Sequence, residues 1–141
     1  YGARTFEDSI SICNMPPDLF FPDGSHHFKF NVTPYDIPYR CLVSRDYDNL
    51  LAAGGTSSLD FITWGAIRYC TPSLTTGQAA GTAAALSVRD GVAPRKVDVG
   101  KVQKELNRQG MLTTNRQVAP EVVAEYARRA KEWGDGFRIS E

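Results

Sequence analysis

The chain has no excess of charge of either sign. Its 141 residues carry 16 Lys and Arg against 16 Asp and Glu, so the formal net charge at pH 7 is zero. This balance excludes a disordered polyelectrolyte and a nucleic-acid binder that depends on overall positive charge. Hydrophobic residues make up 42% of the chain and charged residues 23%, as in an average globular protein. We therefore expect a folded domain with a buried apolar core.

Cysteine is scarce, and its spacing excludes the usual cysteine sites. Cys13, Cys41 and Cys70 are odd in number, so they cannot all pair within the chain, and none forms a C-x-x-C motif. Neither a disulfide framework nor a metal site is indicated. We expect three free, mostly buried thiols, which suit the reducing conditions of the cytoplasm.

Long apolar runs and a signal peptide are also absent from the sequence. A membrane helix needs about 18 or more consecutive apolar residues, and no segment here approaches that length. We therefore expect no membrane partner. The sequence begins Tyr1-Gly2-Ala3, without an initiator Met. This start predicts a piece, or a processed subunit, of a longer protein.

The clearest element that is present is a long helix after residue 70. Thr71 is its predicted N-cap, Pro72 suits its first turn, and Gly91 ends it. Only glycine and alanine occupy one of its faces, at Gly77, Ala80, Gly81 and Ala84. A face with so little side chain lets a sheet, another backbone or a flat ligand approach closely. Tight packing on a sheet and ligand binding are both open on this pattern.

The segment before this helix is typical of an α/β protein. Residues 49–53 form a short apolar run that Gly54-Gly55 ends, which predicts a strand buried on both faces. A long connection without secondary structure of its own is predicted over residues 56–71, and loops of that length are usually functional. The first 34 residues are turn-rich, with a short strand pattern at Phe28, Phe30 and Val32. Two later helices are predicted, one capped by Asp98 and one starting at Pro120.

Several separated motifs resemble a known family. They are Arg4-Thr5-Phe6-Glu7-Asp8, Pro34-Tyr35-Asp36-Ile37-Pro38-Tyr39-Arg40-Cys41-Leu42-Val43, Asp48-Asn49-Leu50-Leu51-Ala52-Ala53-Gly54, Gly65-Ala66-Ile67-Arg68, and Gly77-Gln78-Ala79-Ala80-Gly81-Thr82-Ala83-Ala84-Ala85. In this order they resemble the C-terminal part of FAD-dependent oxidoreductases loosely related to the flavoproteins of succinate dehydrogenase and fumarate reductase. The resemblance covers about residues 4–112.

The resemblance implies an α/β fold, the C-terminal part of an FAD/NAD(P)-binding, Rossmann-like flavoprotein. It implies a substrate-side irregular and β segment over residues 1–48. Residues 49–112 would be the C-terminal part of the FAD-binding domain, and residues 113–141 a helical extension. No G-x-G-x-x-G follows a predicted strand, so the N-terminal dinucleotide-binding βαβ unit is lacking. The expected partner is therefore an N-terminal FAD-binding portion or a companion chain.

The resemblance also implies FAD as the cofactor and suggests which residues contact it. The implied contacts are Gly54, Gly55, Thr76, Gly77 and Gln78. The N-terminal end of the long helix would face the flavin ring, where its dipole stabilises negative charge on the reduced ring. Arg68 is a candidate ion-pairing partner for substrate or flavin, or else a structural residue that ties the loop to the sheet.

Histidine supplies the candidates for proton transfer. His26 and His27 are the only histidines, and either one is a candidate proton acceptor near a substrate, or else a surface residue. Asp60 and Tyr69 are further candidates. Trp64 is a candidate for ring stacking, or a core residue.

Two positions depart from the family's pattern. Gly55 stands where the family often carries Arg, and Phe61-Ile62 stands where it often carries His-Glu. We expect a fragment or small subunit of a flavin-dependent oxidoreductase, which completes the FAD site and the cavity for a small organic substrate in hydride transfer. The alternatives are a non-catalytic interaction subunit and a stand-alone binding module.

Overall fold

The computed structural model describes residues 4–28 and 32–132. Short strands lie in the first part of this range and helices in the second. The strands are β1 (Ser9–Cys13), β2 (Asp18–Phe20), β3 (His26–Phe28) and β4 (Tyr35–Pro38). The α-helices are α1 (Phe61–Ile67), α2 (Cys70–Asp90), α3 (Val99–Arg108) and α4 (Pro120–Glu132). Short 3-10 turns join several of these elements.

The strands form two separate antiparallel pairs. β1 pairs with β4, with Ile12 opposite Asp36 and Cys13 opposite Tyr35. β2 pairs with β3 in a hairpin that sets Phe20 opposite His26. The connecting turn contains Gly24 at φ +84°, a left-handed conformation that glycine adopts without strain. The hairpin therefore fixes which side chains of residues 18–28 share a face.

The core lies where the β1–β4 pair meets α2 and α3. Its fully buried residues include Ile10, Ile37, Leu42, Ala79, Ala83, Val102 and Leu106. Small side chains on the buried side of α2 let the helix lie close to the strands, while α3 contributes branched residues. Each face is consistent with the helical period of its sequence.

The long helix forms, but it begins earlier than predicted. The N-cap is Tyr69 rather than Thr71. Pro72 is the third residue of α2, among the first amides of a helix, which have no internal acceptor, so its missing N–H costs nothing there. The C-terminal end is as predicted, because Gly91 adopts φ +64°. Asp98 caps α3 and α4 begins at Pro120, which confirms both predicted helix starts.

The connection over residues 56–71 is not structureless, so that prediction is wrong. Residues Phe61–Ile67 form α1, and the side chain of Asp60 caps it by accepting a hydrogen bond from the amide of Thr63 at 2.8 Å. The cap residue is of a typical kind, but a helix of only seven residues has too little period to be recognised in sequence.

The structure shows no strand over residues 49–53. Leu51 makes one isolated antiparallel bridge with Val43, and Leu50 is exposed. A buried parallel strand requires parallel neighbours, and the described ranges contain no parallel pair. The architecture is a mixture of helices and small sheets, which is consistent with an α/β fold. Of the predicted strand positions at Phe28, Phe30 and Val32, only Phe28 lies in β3; Phe30 is outside the described residues.

The three thiols are free, but they are not equally buried. Cys13 is buried, Cys41 is half-buried and Cys70 is exposed in the first turn of α2. The expectation of mostly buried thiols is therefore wrong for Cys70. Among the helices that the structure describes, none has the length and hydrophobicity to cross a membrane.

Candidate functional site

A buried carboxylate joins the hairpin to the helices. Asp18 in β2 is only 9% exposed and has three side-chain partners, His26, Arg68 and Tyr69. Nη2 of Arg68 donates to Oδ2 of Asp18 at 2.8 Å, and the Tyr69 hydroxyl donates to the same oxygen. Nε2 of His26 is hydrogen-bonded to Oδ1. We call these four residues the Asp18 cluster.

The local fold explains why these residues meet. Side chains alternate along a strand, so Asp18 and Phe20 share one face of β2, and the register places His26 opposite Phe20 on that face. Arg68 is the C-cap of α1 and Tyr69 is the N-cap of α2. The junction of the two helices therefore presents neighbouring side chains to one carboxylate.

Gly65 allows α1 to approach β2 closely enough for these contacts. A Cβ atom at Gly65 would lie 2.5 Å from Cδ2 of Leu19 and 2.9 Å from the carbonyl oxygen of Asp18. Both distances are shorter than van der Waals contact, so any larger residue would separate the helix from the hairpin. The glycine of the Gly65-Ala66-Ile67-Arg68 motif therefore has a packing role that serves the cluster.

The cluster keeps Asp18 ionised. Burial acts to raise the pKa of the Asp18 carboxyl, but the hydrogen bonds from Tyr69 and His26, together with the charges of His26 and Arg68, outweigh burial and lower this pKa below its usual value. Burial and the bond to Asp18 raise the pKa of the Tyr69 phenol. Near neutral pH, Asp18 is thus an acceptor and Tyr69 a donor.

Aromatic rings surround the guanidinium of Arg68. Its carbon Cζ lies 5.0 Å from the ring centre of Tyr69, 5.2 Å from that of Trp64 and 5.8 Å from that of Phe20. These are cation–π distances. Nε of Arg68 is buried and has no hydrogen-bond partner among the described residues. Arg68 is therefore held by ring faces and by Asp18, which gives it a structural part in the site.

The same rings form an exposed aromatic surface. The Phe20 ring stacks on His26 at 4.3 Å and is 61% exposed. Trp64 and Phe61 are also exposed, and Phe61 meets Phe21 edge-on at 5.5 Å. A folded chain rarely exposes so many neighbouring rings without a binding role. Trp64 is thus a surface residue and not a core residue.

The two histidines lie in different surroundings. Successive side chains of β3 point to opposite faces, so His27 is on the other side of the hairpin from His26. His27 meets Phe21 edge-on at 5.2 Å. Of the candidates for proton transfer, His26 and Tyr69 join the Asp18 cluster together with Arg68, whereas His27 and Asp60 do not.

The Gly54-Gly55 turn is tied to both neighbouring helices. The amide of Gly54 donates to Oγ1 of Thr76 at 3.0 Å, and Nε1 of Trp64 donates to the carbonyl oxygen of Gly55 at 3.0 Å. Gly54 has φ +62°, and a Cβ atom there would lie 2.9 Å from Oγ of Ser73. Only glycine suits this close approach to α2.

The other implied contacts of FAD lie on α2, with different exposure. Thr76 is fully buried, and its hydroxyl donates to the carbonyl oxygen of Pro72 at 2.7 Å, so it supports the turn from below. Gly77 and Gln78 are exposed, and Nε2 of Gln78 donates to Gln109 at 2.8 Å. These residues lie beyond the first turn of α2, whose free amides are at Cys70 and Thr71.

One face of α2 is open along most of its length. Its members are Leu74, Gly77, Gly81, Ala84 and Val88, which we call the open face of α2. Leu74 is 74% exposed and Val88 84% exposed. A Cβ atom at Gly77 or Gly81 would meet no described atom within 4 Å. The described chain therefore offers no sheet against which these glycines pack.

Sequence reasoning missed Asp18. Nothing in the sequence marks it, since it stands alone in a turn-rich segment, eight residues before His26. The signal that identifies it is the β2–β3 register, which sets its side chain diagonally across from His26. Short hairpins with four-to-five-residue turns leave the register open in sequence.

Comparison with known proteins identifies the family. The family model of FAD dependent oxidoreductases matches residues 1–106. This match spans most of the chain, which therefore belongs to the family of FAD dependent oxidoreductases. The family implies FAD as the cofactor. No curated protein and no solved structure matches the chain.

Proposed function

We propose that this chain supplies the substrate side of the site of an FAD-dependent oxidoreductase. The pyrophosphate-binding half lies in an N-terminal portion of a Rossmann-like flavoprotein or in a companion chain. The reaction is hydride transfer between a small organic substrate and FAD. The observation that carries the proposal is the open face of α2, in a chain of this family.

The glycines of the open face of α2 lower the stability of the helix, and no packing contact within the described residues compensates for this loss. A glycine in a helix interior is about 1 kcal/mol less favourable than alanine, and neither Gly77 nor Gly81 has a packed neighbour. From Cys70 to Val88 the helix carries no charged residue, although exposed helix faces are usually charged. Both features are explained if another surface approaches α2 closely.

The residues in the N-terminal half of α2 and in the Gly54-Gly55 turn fit a flat cofactor. Gly77 places no side chain between the helix and a ring, and the exposed Gly55 leaves the backbone of the turn accessible. Gly55, Gly77 and Gln78 would contact FAD, while Gly54 and Thr76 hold the turn against α2. When bound, FAD supplies the centre that accepts or gives up a hydride. The amides at the start of α2 contribute partial positive charge.

The Asp18 cluster is the part of the chain that handles protons. His26 is the proton acceptor or donor for the substrate in this proposal, since it is half-buried, paired to an ionised carboxylate and next to the exposed Phe20 ring. Arg68 holds Asp18 in place. His27 has no part in proton transfer here, because it lies on the other face of the hairpin.

A second function is favoured by one observation. Phe61 and Ile62 stand where the resemblance places His-Glu, and both side chains are exposed at the start of α1. Exposed apolar residues in place of a charged pair suit a contact surface. A non-catalytic interaction subunit of a flavoprotein complex is therefore the alternative.

The test measures flavin in the protein as it is encoded, together with any companion chain. We expect a yellow protein, and we expect Gly77→Val to remove the flavin while the helix content by circular dichroism stays the same. Lys104→Val is the matched control, since it adds an exposed valine to α3.

Three results separate the possibilities. Loss of flavin in Gly77→Val and retention in Lys104→Val support the proposal. A yellow Gly77→Val protein contradicts close approach at α2. A colourless wild-type protein with a companion chain overturns the catalytic proposal in favour of the interaction subunit.

A further inference from the structure

We propose that Asp18 positions His26 so that Nδ1 of the imidazole accepts a hydrogen bond from the hydroxyl group of an uncharged aromatic substrate. This inference deepens the proposed function and rests on it for the reaction in which that substrate takes part. The geometry of the Asp18 cluster carries the rest of the argument.

The contacts of Asp18 determine which nitrogen of the His26 ring carries the proton. Both carboxylate oxygens of Asp18 act as acceptors, because Arg68 and Tyr69 donate to Oδ2 and the acid is ionised. The bond at Oδ1 must then be donated by Nε2–H of His26. In the neutral imidazole the other nitrogen, Nδ1, carries the lone pair. No described residue hydrogen-bonds to Nδ1.

The charges next to His26 balance one another. Arg68 and Asp18 are in contact at 2.8 Å and compensate one another. Tyr69 is a neutral donor, the Phe20 ring stacks on His26, and the Phe20 and Trp64 rings lie against Arg68. With a neutral His26, the described residues of the Asp18 cluster therefore carry no net charge that would attract an ionic ligand, and Nδ1 offers an acceptor to a hydroxyl group.

Exposed aromatic rings lie next to the His26 imidazole. Phe20, which stacks on His26, is 61% exposed, and the exposed ring of Trp64 lies against the same Arg68 guanidinium as Phe20. Exposed ring faces favour stacking with another aromatic group. A ligand that offers both a ring and a hydroxyl group satisfies the two features at once.

The experiment on the cluster reads the ring nitrogens of His26 directly. In the full chain labelled with ¹⁵N-histidine, long-range ¹H–¹⁵N spectra at a pH where the imidazole is neutral distinguish a protonated nitrogen from a bare one. We expect His26 to carry its proton on Nε2 alone, and His27 to average between its two tautomers. His27 is thus the internal control.

Asp18→Asn makes the prediction sharper. Arg68 and Tyr69 are donors, so the amide oxygen of Asn faces them and the amide NH₂ faces His26. Nε2 must then accept, and the proton moves to Nδ1. We expect the tautomer of His26 to invert while His27 is unchanged. Tyr69→Phe leaves the carboxylate in place and should keep the wild-type tautomer, which gives a second variant if Asp18→Asn does not fold.

The ligand class is tested with benzyl alcohol, using benzyl methyl ether as a matched probe that has the ring but no donor. We expect benzyl alcohol to shift the Nδ1 resonance of His26 and the ether to leave it unmoved. In Asp18→Asn, where Nδ1 bears a proton, Nδ1–H can donate to the oxygen of either probe, so we expect benzyl methyl ether to shift the His26 resonance as well.

Each possible result of these experiments either supports or overturns the inference. Averaged tautomers of His26 in the wild-type chain, or no inversion in a folded Asp18→Asn chain, overturn the positioning role of Asp18. Equal shifts from both probes in the wild-type chain overturn the hydroxyl specificity. None of these readouts uses flavin, so the failure of this inference and the failure of the proposed function are distinguishable.

Discussion

At the scale of single residues, Asp18 is the position on which the site depends most. Its carboxylate accepts bonds from three side chains that belong to β3 and to the α1–α2 junction. A buried acceptor that loses its charge leaves its donors unsatisfied, and the penalty for such donors exceeds the value of an ordinary hydrogen bond.

We predict that Asp18→Ala lowers the free energy of unfolding by about 2–3 kcal/mol at pH 7. Because folding lowers the pKa of this carboxyl, its contribution is complete above the unfolded pKa of about 4 and is lost as the pH falls through the folded pKa. Urea unfolding should therefore show that the free energy of unfolding of the wild type exceeds that of the variant at pH 7, and that this difference becomes smaller in acid.

Asp46→Ala is the control for this measurement. Asp46 is 79% exposed and lies 3.9 Å from its ion-pair partner Arg45, so its removal should change stability by less than about 0.5 kcal/mol. The role assigned to Asp18 would be contradicted if Asp18→Ala and Asp46→Ala lowered the free energy of unfolding equally. It would also be contradicted if the difference in this free energy between wild type and Asp18→Ala became larger in acid.

Single residues also show the limit of the sequence analysis. His26, Arg68 and Tyr69 could each be selected from the sequence as candidates, because their chemistry is visible in their side chains. Their convergence could not be predicted, since it depends on the hairpin register and on the close packing at Gly65. The glycine looked like part of a motif, and only the structure shows what its missing Cβ allows.

At the scale of elements, α2 combines a structural face with an open face. Ala79 and Ala83 are fully buried against the core, while Gly77 and Gly81 point to open space. The helix could be predicted from its length, its proline and its terminal glycine. The residues that pack against it could not, because a small-residue face suits both a sheet and a ligand.

We predict that Gly77→Ala raises the free energy of unfolding of the chain by about 0.5–1 kcal/mol. Alanine is the better helix former, and its Cβ meets no described atom within 4 Å. Urea unfolding of the chain alone checks this value.

Gly91→Ala is the matched control at the end of the same helix. Gly91 has φ +64°, where alanine is strained, so this variant should be destabilised although its Cβ also has space. A Gly77→Ala chain that is less stable than wild type would mean that the glycine serves the chain's own packing, contrary to the account of the open face.

The short elements were less predictable than α2. Residues 49–53 are as apolar as a buried strand, yet the structure gives them a single bridge from Leu51 to Val43. Composition shows that such a run can be buried, but pairing requires neighbouring strands. α1 was missed for a related reason, because seven residues carry too little helical period.

At the scale of the whole molecule, the described chain contains a core, the Asp18 cluster and the open face of α2. Trp64 joins the Asp18 cluster to the Gly54-Gly55 turn, since its ring contacts Arg68 and its Nε1 donates to Gly55. Gly54 is in turn bonded to Thr76 of α2, so the turn lies between the aromatic surface, where we propose the substrate, and the helix, where we propose the cofactor. The family match gives the cofactor, while the rest of the cofactor's site belongs to the polypeptide that we propose to bind the phosphates.

The most direct test of the central claim, that FAD lies against α2, is photo-crosslinking of the assembled protein. FAD with an azido group on its ring is bound, illuminated and located by tryptic peptide mapping. Cleavage after Arg68 and Arg89 yields a peptide of residues 69–89, which contains nearly all of α2. We predict that the label is found on this peptide. Efficient labelling that is confined to other peptides would contradict the account.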